Sequence, residues 1–319
     1  MTRRTHFRFH RGQLAWLMAM IVVVTCLTQV AAPAQGRRQR QRERPQFPDV
    51  NVQRDLVYKR VKGESLLLDI YTPKSITHPL PVALWIHGGG WNRGRKEQRP
   101  PVDLMAHGYA LVSIDYRLSD EAPFPAQIED CKAAVRWLRA NAAAYHFDPD
   151  HIGAWGHSAG GHLAALLGTS GGVAALEGDG DNLTYSSRVQ AVVDISGPTD
   201  ILSLYENVAN ATEGSGRRAR FFIEQFLGGS GEEIKAKAIA ASPITYISKD
   251  DPPFLVIHGE NDLSIPLSQS ETFVQKLKAA GVNATLQVAE GRGHGVGAPK
   301  FAAEIISFFD KNLKTQPTK

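Results

Sequence analysis

The sequence predicts an α/β fold, with a mostly parallel central sheet flanked by helices. Two patterns carry this expectation. Short apolar runs, of the length of buried strands, alternate with longer segments whose apolar residues recur at helical spacing. Glycine-rich segments follow several of those runs, where the carboxyl edge of such a sheet places its functional loops.

The elements read in order. Leu66-Leu-Leu-Asp-Ile-Tyr71 is predicted as a strand, as are Val82–Ile86 and Ala110–Ile114. Between Phe124 and Tyr145, Ile128, Cys131, Val135, Leu138 and Ala142 mark one helical face. Cys131 falls on that face and reads as buried filler. Ile152–Trp155 is a strand and His162–Gly168 a helix. Ala191–Ile195 and Phe254–Ile257 continue as strands. A helix from about Ser268 to Ala280 stops at Gly281, Thr285–Val288 is a strand, and a helix from about Lys300 to Leu313 ends the domain.

The first 50 residues read differently. Arg3, Arg4, Arg8 and Arg11 precede the apolar run Leu14–Val24, and Ala32-Pro33-Ala34 fits a small-x-small cleavage site. Residues 1–34 are therefore read as an export signal, with Gln35 as the mature start and a periplasmic or secreted destination. A membrane partner enters only if this segment stays uncleaved as an anchor, or if Cys26 is lipidated. Residues 35–50, rich in Gln, Arg and Pro, read as a disordered basic linker, and residues 51–315 as one domain. The four leader arginines match the whole formal charge of +4. The pI near 9.0 thus gives the folded domain no case for nucleic-acid binding.

Three loops carry chemistry. Gly156-His157-Ser158-Ala159-Gly160 lies between a strand and a helix, the setting of a nucleophile elbow, which makes Ser158 the candidate nucleophile. His87-Gly88-Gly89-Gly90-Trp91 follows the strand ending at Ile86. Its glycines let backbone N–H groups approach a developing oxyanion, and Gly89, Gly90 and Ala159 are the candidate donors. His87 is expected to organise that loop. No Gly-Lys-Ser/Thr follows it, which argues against a phosphate loop.

The strand ending at Ile257 runs into His258-Gly-Glu260-Asn-Asp262, which offers Asp262 as the acid, with Glu260 as runner-up by the register of the turn. Asp200 is a weaker candidate and reads better as a helix cap. His294, framed by Gly293 and Gly295 before the last helix, is the candidate general base. Histidine ordinarily titrates near pH 6.5, so activity is expected to fall below roughly pH 6–7. No HExxH and no Cys–His cluster is present, so no metal site is expected.

HGGGW, DYRLS (115–119), FPAQIEDCKAAVRWLRANA (124–142), DPDHIGAWGHSAGGHLAALLG (148–168), ASPITYISKDDPPFLVIHGENDLSIP (241–266) and GHG (293–295) resemble the α/β-hydrolase esterases. The similarity covers about residues 52–313. It points to the bacterial feruloyl/acetyl-xylan esterase-like group, near the hormone-sensitive-lipase-like carboxylesterases. The elbow lacks the Asp that the lipase-like group carries before Ser, and GENDLSIP replaces its DPLRD-like acid loop; both favour the first group. The resemblance implies hydrolysis of carboxylic esters without a cofactor, with acylated plant polysaccharide among the substrates. A small-molecule amidase or peptidase with the same triad is the alternative enzyme, and a non-catalytic binding module the alternative of another class.

Residues 200–245 are expected to form a cap insertion, with short helices at Ile201–Asn207 and Phe221–Leu227 around the polar segment Glu213–Arg220. Phe221, Phe222 and Phe226 read either as contacts for an aromatic acyl group or as packing. Trp91 reads either as a sugar platform or as structural.

Overall fold

The computed structural model describes residues 50–98, 102–210, 212–296 and 298–314. The leader and nearly all of the linker lie outside the described residues. Eight strands among them form one sheet, in the order β1-β2-β4-β3-β5-β6-β7-β8. They are β1 (Val50–Val61), β2 (Glu64–Pro73), β3 (Leu80–Ile86), β4 (Ala110–Ile114), β5 (Phe147–His157), β6 (Ala191–Ile195), β7 (Phe254–Gly259) and β8 (Ala284–Ala289). The β1–β2 and β2–β4 pairs are antiparallel, and the remaining pairs are parallel. The expected mostly parallel α/β sheet is therefore present.

The α-helices are α1 (Ala126–Ala140), α2 (Ala142–Tyr145), α3 (Ala159–Thr169), α4 (Ile201–Val208), α5 (Gly214–Leu227), α6 (Lys235–Ala240), α7 (Leu267–Ala279) and α8 (Ala302–Leu313). Two buried clusters cover the two faces of the sheet. On one, Leu84, Val112 and Ala154 pack with Leu163 and Leu166 of α3. On the other, Trp85 and its strand neighbour Trp155 meet edge to face at 5.3 Å, and Phe309 of α8 closes over Trp155. Burying a side chain such as Phe309 contributes about 1.5–3 kcal/mol.

The sequence pattern and the structure differ in three places. The helix predicted through Tyr145 breaks at Asn141, whose side-chain amide donates to the Trp137 carbonyl at 2.9 Å and competes with the helical ladder. α5 begins at Gly214, so the polar Arg217–Arg220 stretch is helical, and Arg220 is tied to the Ala209 carbonyl at 3.0 Å. β1 had no periodic signal of its own. Register shifts between Gln53 and Leu56 and between Val57 and Lys59 interrupt its alternation. Its Val50 and Val52 consequently pack on one face of the sheet and Leu56 and Tyr58 on the other.

The topology fixes where a site can form. β3 has β4 on one side and β5 on the other, so the direction of strand addition reverses between β3 and β5. A crevice opens at the carboxyl ends of strands at such a switch point. The His87–Trp91 loop leaves β3 there, and the Ser158 turn leaves β5 beside it.

Candidate active site

Ser158 sits between β5 and α3 at φ 60° and ψ −122°, a strained conformation for a residue with a side chain. Its N–H donates to the Ile195 carbonyl of β6 at 2.8 Å, which fixes the turn against the sheet. Two glycines make the turn possible. A Cβ on Gly156 would overlap the Gly160 backbone, and one on Gly160 would overlap the Ile86 carbonyl. The start of α3 adds the positive end of a helix dipole beside the hydroxyl.

The other two candidate residues come to this serine. Asp262 lies in the turn after β7, where its Oδ1 accepts the N–H groups of Ser264 (2.8 Å) and Ile265 (3.0 Å). Its Oδ2 lies 2.7 Å from His294 Nδ1, and His294 Nε2 lies 2.8 Å from Ser158 Oγ. Burial alone would raise the Asp262 carboxyl, but bonds from His258, His294 and Ile265 hold it well below the usual carboxylate range. A carboxylate only accepts, so His294 Nδ1 carries the hydrogen and Nε2 is left to accept the Ser158 hydroxyl.

Backbone hydrogen bonds fasten the acid loop to the histidine loop. The N–H of Glu260 donates to the Ala289 carbonyl (3.1 Å) and that of Asn261 to the Arg292 carbonyl (2.8 Å). Glu260 turns away from the imidazole, and its Oε2 accepts the Gly291 N–H at 2.8 Å. Asp200 caps α4, its Oδ1 accepting the Ser203 N–H at 3.0 Å.

Beside Ser158 runs the glycine loop. A Cβ on Gly88 would lie 3.5 Å from Ser158 Cβ, so this backbone borders the hydroxyl. Gly89 (φ +126°) and Gly90 (φ +62°) adopt backbone angles that a side chain would strain. The loop turns on the Gly89 carbonyl, which accepts the N–H groups of Asn92 (3.4 Å) and Arg93 (3.2 Å). His87 stacks on Tyr116 at 4.3 Å, and the Tyr116 hydroxyl donates to the His87 carbonyl at 3.0 Å. A buried ion pair fixes the far end, where Lys96 Nζ meets Asp69 Oδ1 at 2.8 Å.

The segment between β6 and β7 packs on this loop. The Phe222 ring lies over Gly90, Asn92 donates to Gln225 Oε1 at 2.9 Å, and Trp91 stacks on Phe226 at 4.4 Å. Trp91 and Phe226 are buried, so both are packing residues, while Phe221 is 56% exposed. The Trp91 indole donates to His162 Nδ1 at 3.1 Å, and His162 Nε2 donates to the Ala241 carbonyl at 2.7 Å. Burial takes the His162 pKa down to about 4, against the pull of that carbonyl.

Two histidines near the triad carried no signal in the sequence. His157, the elbow residue before Ser158, donates its Nε2–H to the His294 carbonyl at 2.8 Å and so holds the histidine loop. His258, at the end of β7, reaches Asp262 from behind, with Nε2 3.4 Å from Oδ2. Among the described residues no cluster of His, Cys, Asp and Glu is placed to hold a metal ion, and no helix is long and apolar enough to cross a membrane.

The sheet order and the strained turn define the class, the α/β-hydrolase fold, with Ser158, His294 and Asp262 in line at its switch point. The chain belongs to the BD-FAE family, whose model matches residues 68–277. Among its relatives, Esterase LipQ of Mycobacterium tuberculosis is 36% identical over 234 residues, 72% of this chain and 53% of LipQ. The chain spans about half the length of the curated relatives it matches. Among solved structures it is similar to a truncated carbohydrate esterase from gut microbiota, with TM-score 0.73 and 32% identity over 82% of this chain and 95% of that one. A second, a butyrate-bound thermophilic esterase (Est2) of Thermogutta terrifontis, has TM-score 0.66 and 28% identity over 85% of this chain and 96% of that one.

Proposed function

We propose that this chain is a serine carboxylesterase, and the observation that carries the reading is the unbroken line from Ser158 Oγ through His294 to Asp262 Oδ2. Ser158 Oγ attacks the ester carbonyl as its proton passes to His294 Nε2. The N–H groups of Gly89, Gly90 and Ala159 receive the oxyanion. Collapse breaks the ester C–O bond, and the alcohol leaves with the proton from His294. Water then gives a proton to His294, attacks the acyl-enzyme and frees the acid, and the proton returns to Ser158.

For substrate we propose short acyl or aromatic acyl esters, with acetyl or feruloyl groups on plant polysaccharide as the natural class. The names of similar structures support this choice, one a carbohydrate esterase and another a bifunctional GH43-CE protein of Bacteroides eggerthii. The resemblance of the leader to an export signal, cleaved after Ala34, supports action outside the cytoplasm. Purified residues 35–319 and their Ser158→Ala variant are to be assayed on p-nitrophenyl acetate, butyrate and octanoate, methyl ferulate, acetylated xylan and an aryl formamide. Ser158-dependent release from xylan or ferulate is the expected result. Activity confined to the formamide overturns the esterase reading, and activity confined to p-nitrophenyl esters overturns the carbohydrate assignment.

A further inference from the structure

His258 is a second imidazole beside the acid, its Nε2 3.4 Å from Asp262 Oδ2. It is fully buried, with Nδ1 2.6 Å from Ser270 Oγ of α7 and Nε2 2.9 Å from the Ile265 carbonyl. A carbonyl only accepts, so Nε2 carries a hydrogen whatever the charge of the ring. That N–H also faces Asp262 Oδ2 at 3.4 Å, the same oxygen that takes the Nδ1–H of His294 at 2.7 Å. Oδ1 is already occupied by two backbone N–H groups. Two imidazoles therefore share one carboxylate oxygen.

The charges around His258 come from four places. Asp262 faces it from the turn after β7 and Asp194 from the neighbouring strand β6. The imidazoles of His157 on β5 and of His294, beyond Asp262, complete the set. Asp194 Oδ1 accepts the Gly197 N–H at 2.9 Å, while its buried Oδ2 has no hydrogen-bond partner among the described residues. Burial pushes this carboxyl up to about 6, and the nearby His258 imidazole is the main influence holding it down. Burial opposes the cationic form of His258, but the Asp262 oxygen, the Ile265 carbonyl and the Asp194 charge outweigh it and push its pKa up.

We propose that His258, with Asp194 as its counter-charge, is a positioning residue of the triad: it holds Asp262 and draws charge from the oxygen that His294 uses. The inference rests on the esterase reading of Ser158, Asp262 and His294. Removing the Nε2–H leaves Oδ2 to His294 alone, which strengthens the attraction between the carboxylate and the protonated base. The acidic limb of kcat/KM is then expected to move up.

The test compares pH profiles of p-nitrophenyl acetate hydrolysis for the wild type, H258Q, H258N and H258L, each checked for folding by circular dichroism. Glutamine can return an N–H to the position of Nε2, whereas asparagine reaches only the Ser270 side. H258N and H258L are expected to raise the acidic limb by about 0.5–1 pH unit and lower kcat about tenfold with KM little changed. H258Q is expected to keep the wild-type limb. If H258L fails to fold, the H258N and H258Q pair decides. One limb shared by the wild type and the folded variants overturns the proposal while Ser158→Ala remains inactive. Full activity in Ser158→Ala overturns the triad reading, and this inference with it.

Discussion

His162 links acid sensitivity to one buried ring. Its Nε2–H must donate to the Ala241 carbonyl and its Nδ1 must accept from the Trp91 indole, because neither partner can reverse its role. A second proton on Nδ1 expels the indole N–H, and the site is fully buried. The folded pKa is about 4 against an ordinary value of 6.5. The sign follows. Above pH 6.5 neither state binds the proton, and the stabilising effect of the neutral ring is fully present. Between 6.5 and 4 the unfolded chain binds a proton that the folded chain refuses, so stability falls as pH falls. Below 4 both states bind it and the loss is complete. The slope approaches about 1.4 kcal/mol per pH unit and the total is about 3 kcal/mol. Urea unfolding of the wild type and H162Q between pH 7.5 and 4.5 isolates this contribution, because the other titrating groups are common to both. At pH 7.5 the variant is expected to be less stable by about 1–3 kcal/mol, having left the buried indole N–H without its acceptor. Towards pH 4.5 the gap should close or reverse. A gap independent of pH refutes the argument.

Other outcomes follow from the same geometry. Ser158→Ala is expected to lower kcat by ~10³–10⁶ with unchanged circular dichroism. Gly90→Ala forces a Cβ to 3.1 Å from the Phe222 ring at a left-handed φ. It should cost about 1–2 kcal/mol in urea unfolding and lower kcat more than it raises KM. Lys96→Met strips Asp69 of its buried cation, and although Arg54 remains 3.3 Å from Oδ2, urea unfolding should record a loss of about 3 kcal/mol.

The sequence made the strands and the three loops legible because each depends on local spacing. Apolar runs covered on both faces need no partner to be recognised, and glycines at 156 and 160 are demanded by the turn itself. Asp262 was separable from Glu260 only by the register of one turn, which the backbone bonds of residues 260 and 261 fix. β1 escaped because its register shifts break the period-two signal. His157 and His258 escaped for different reasons. The partner of His157 lies in the His294 loop, which only the sheet order brings near, whereas the partners of His258 at Asp262, Ile265 and Ser270 depend on how the turn after β7 folds back on its strand.

That order also explains why the triad needs little side-chain packing to stay aligned. Ser158 is held through its own N–H to β6, the acid loop through residues 260 and 261 to the histidine loop, and the histidine loop through its carbonyl to His157. Each constraint acts on backbone, leaving the Ser158 hydroxyl and the His294 ring free to exchange a proton. Side chains add what the backbone leaves open, the setting of the second Asp262 oxygen and of the far end of the glycine loop. Two buried groups, His258 and Lys96, sit at those two points. A variant that alters the loop connections should therefore lower kcat and stability together, whereas one at His258 should change the pH profile first.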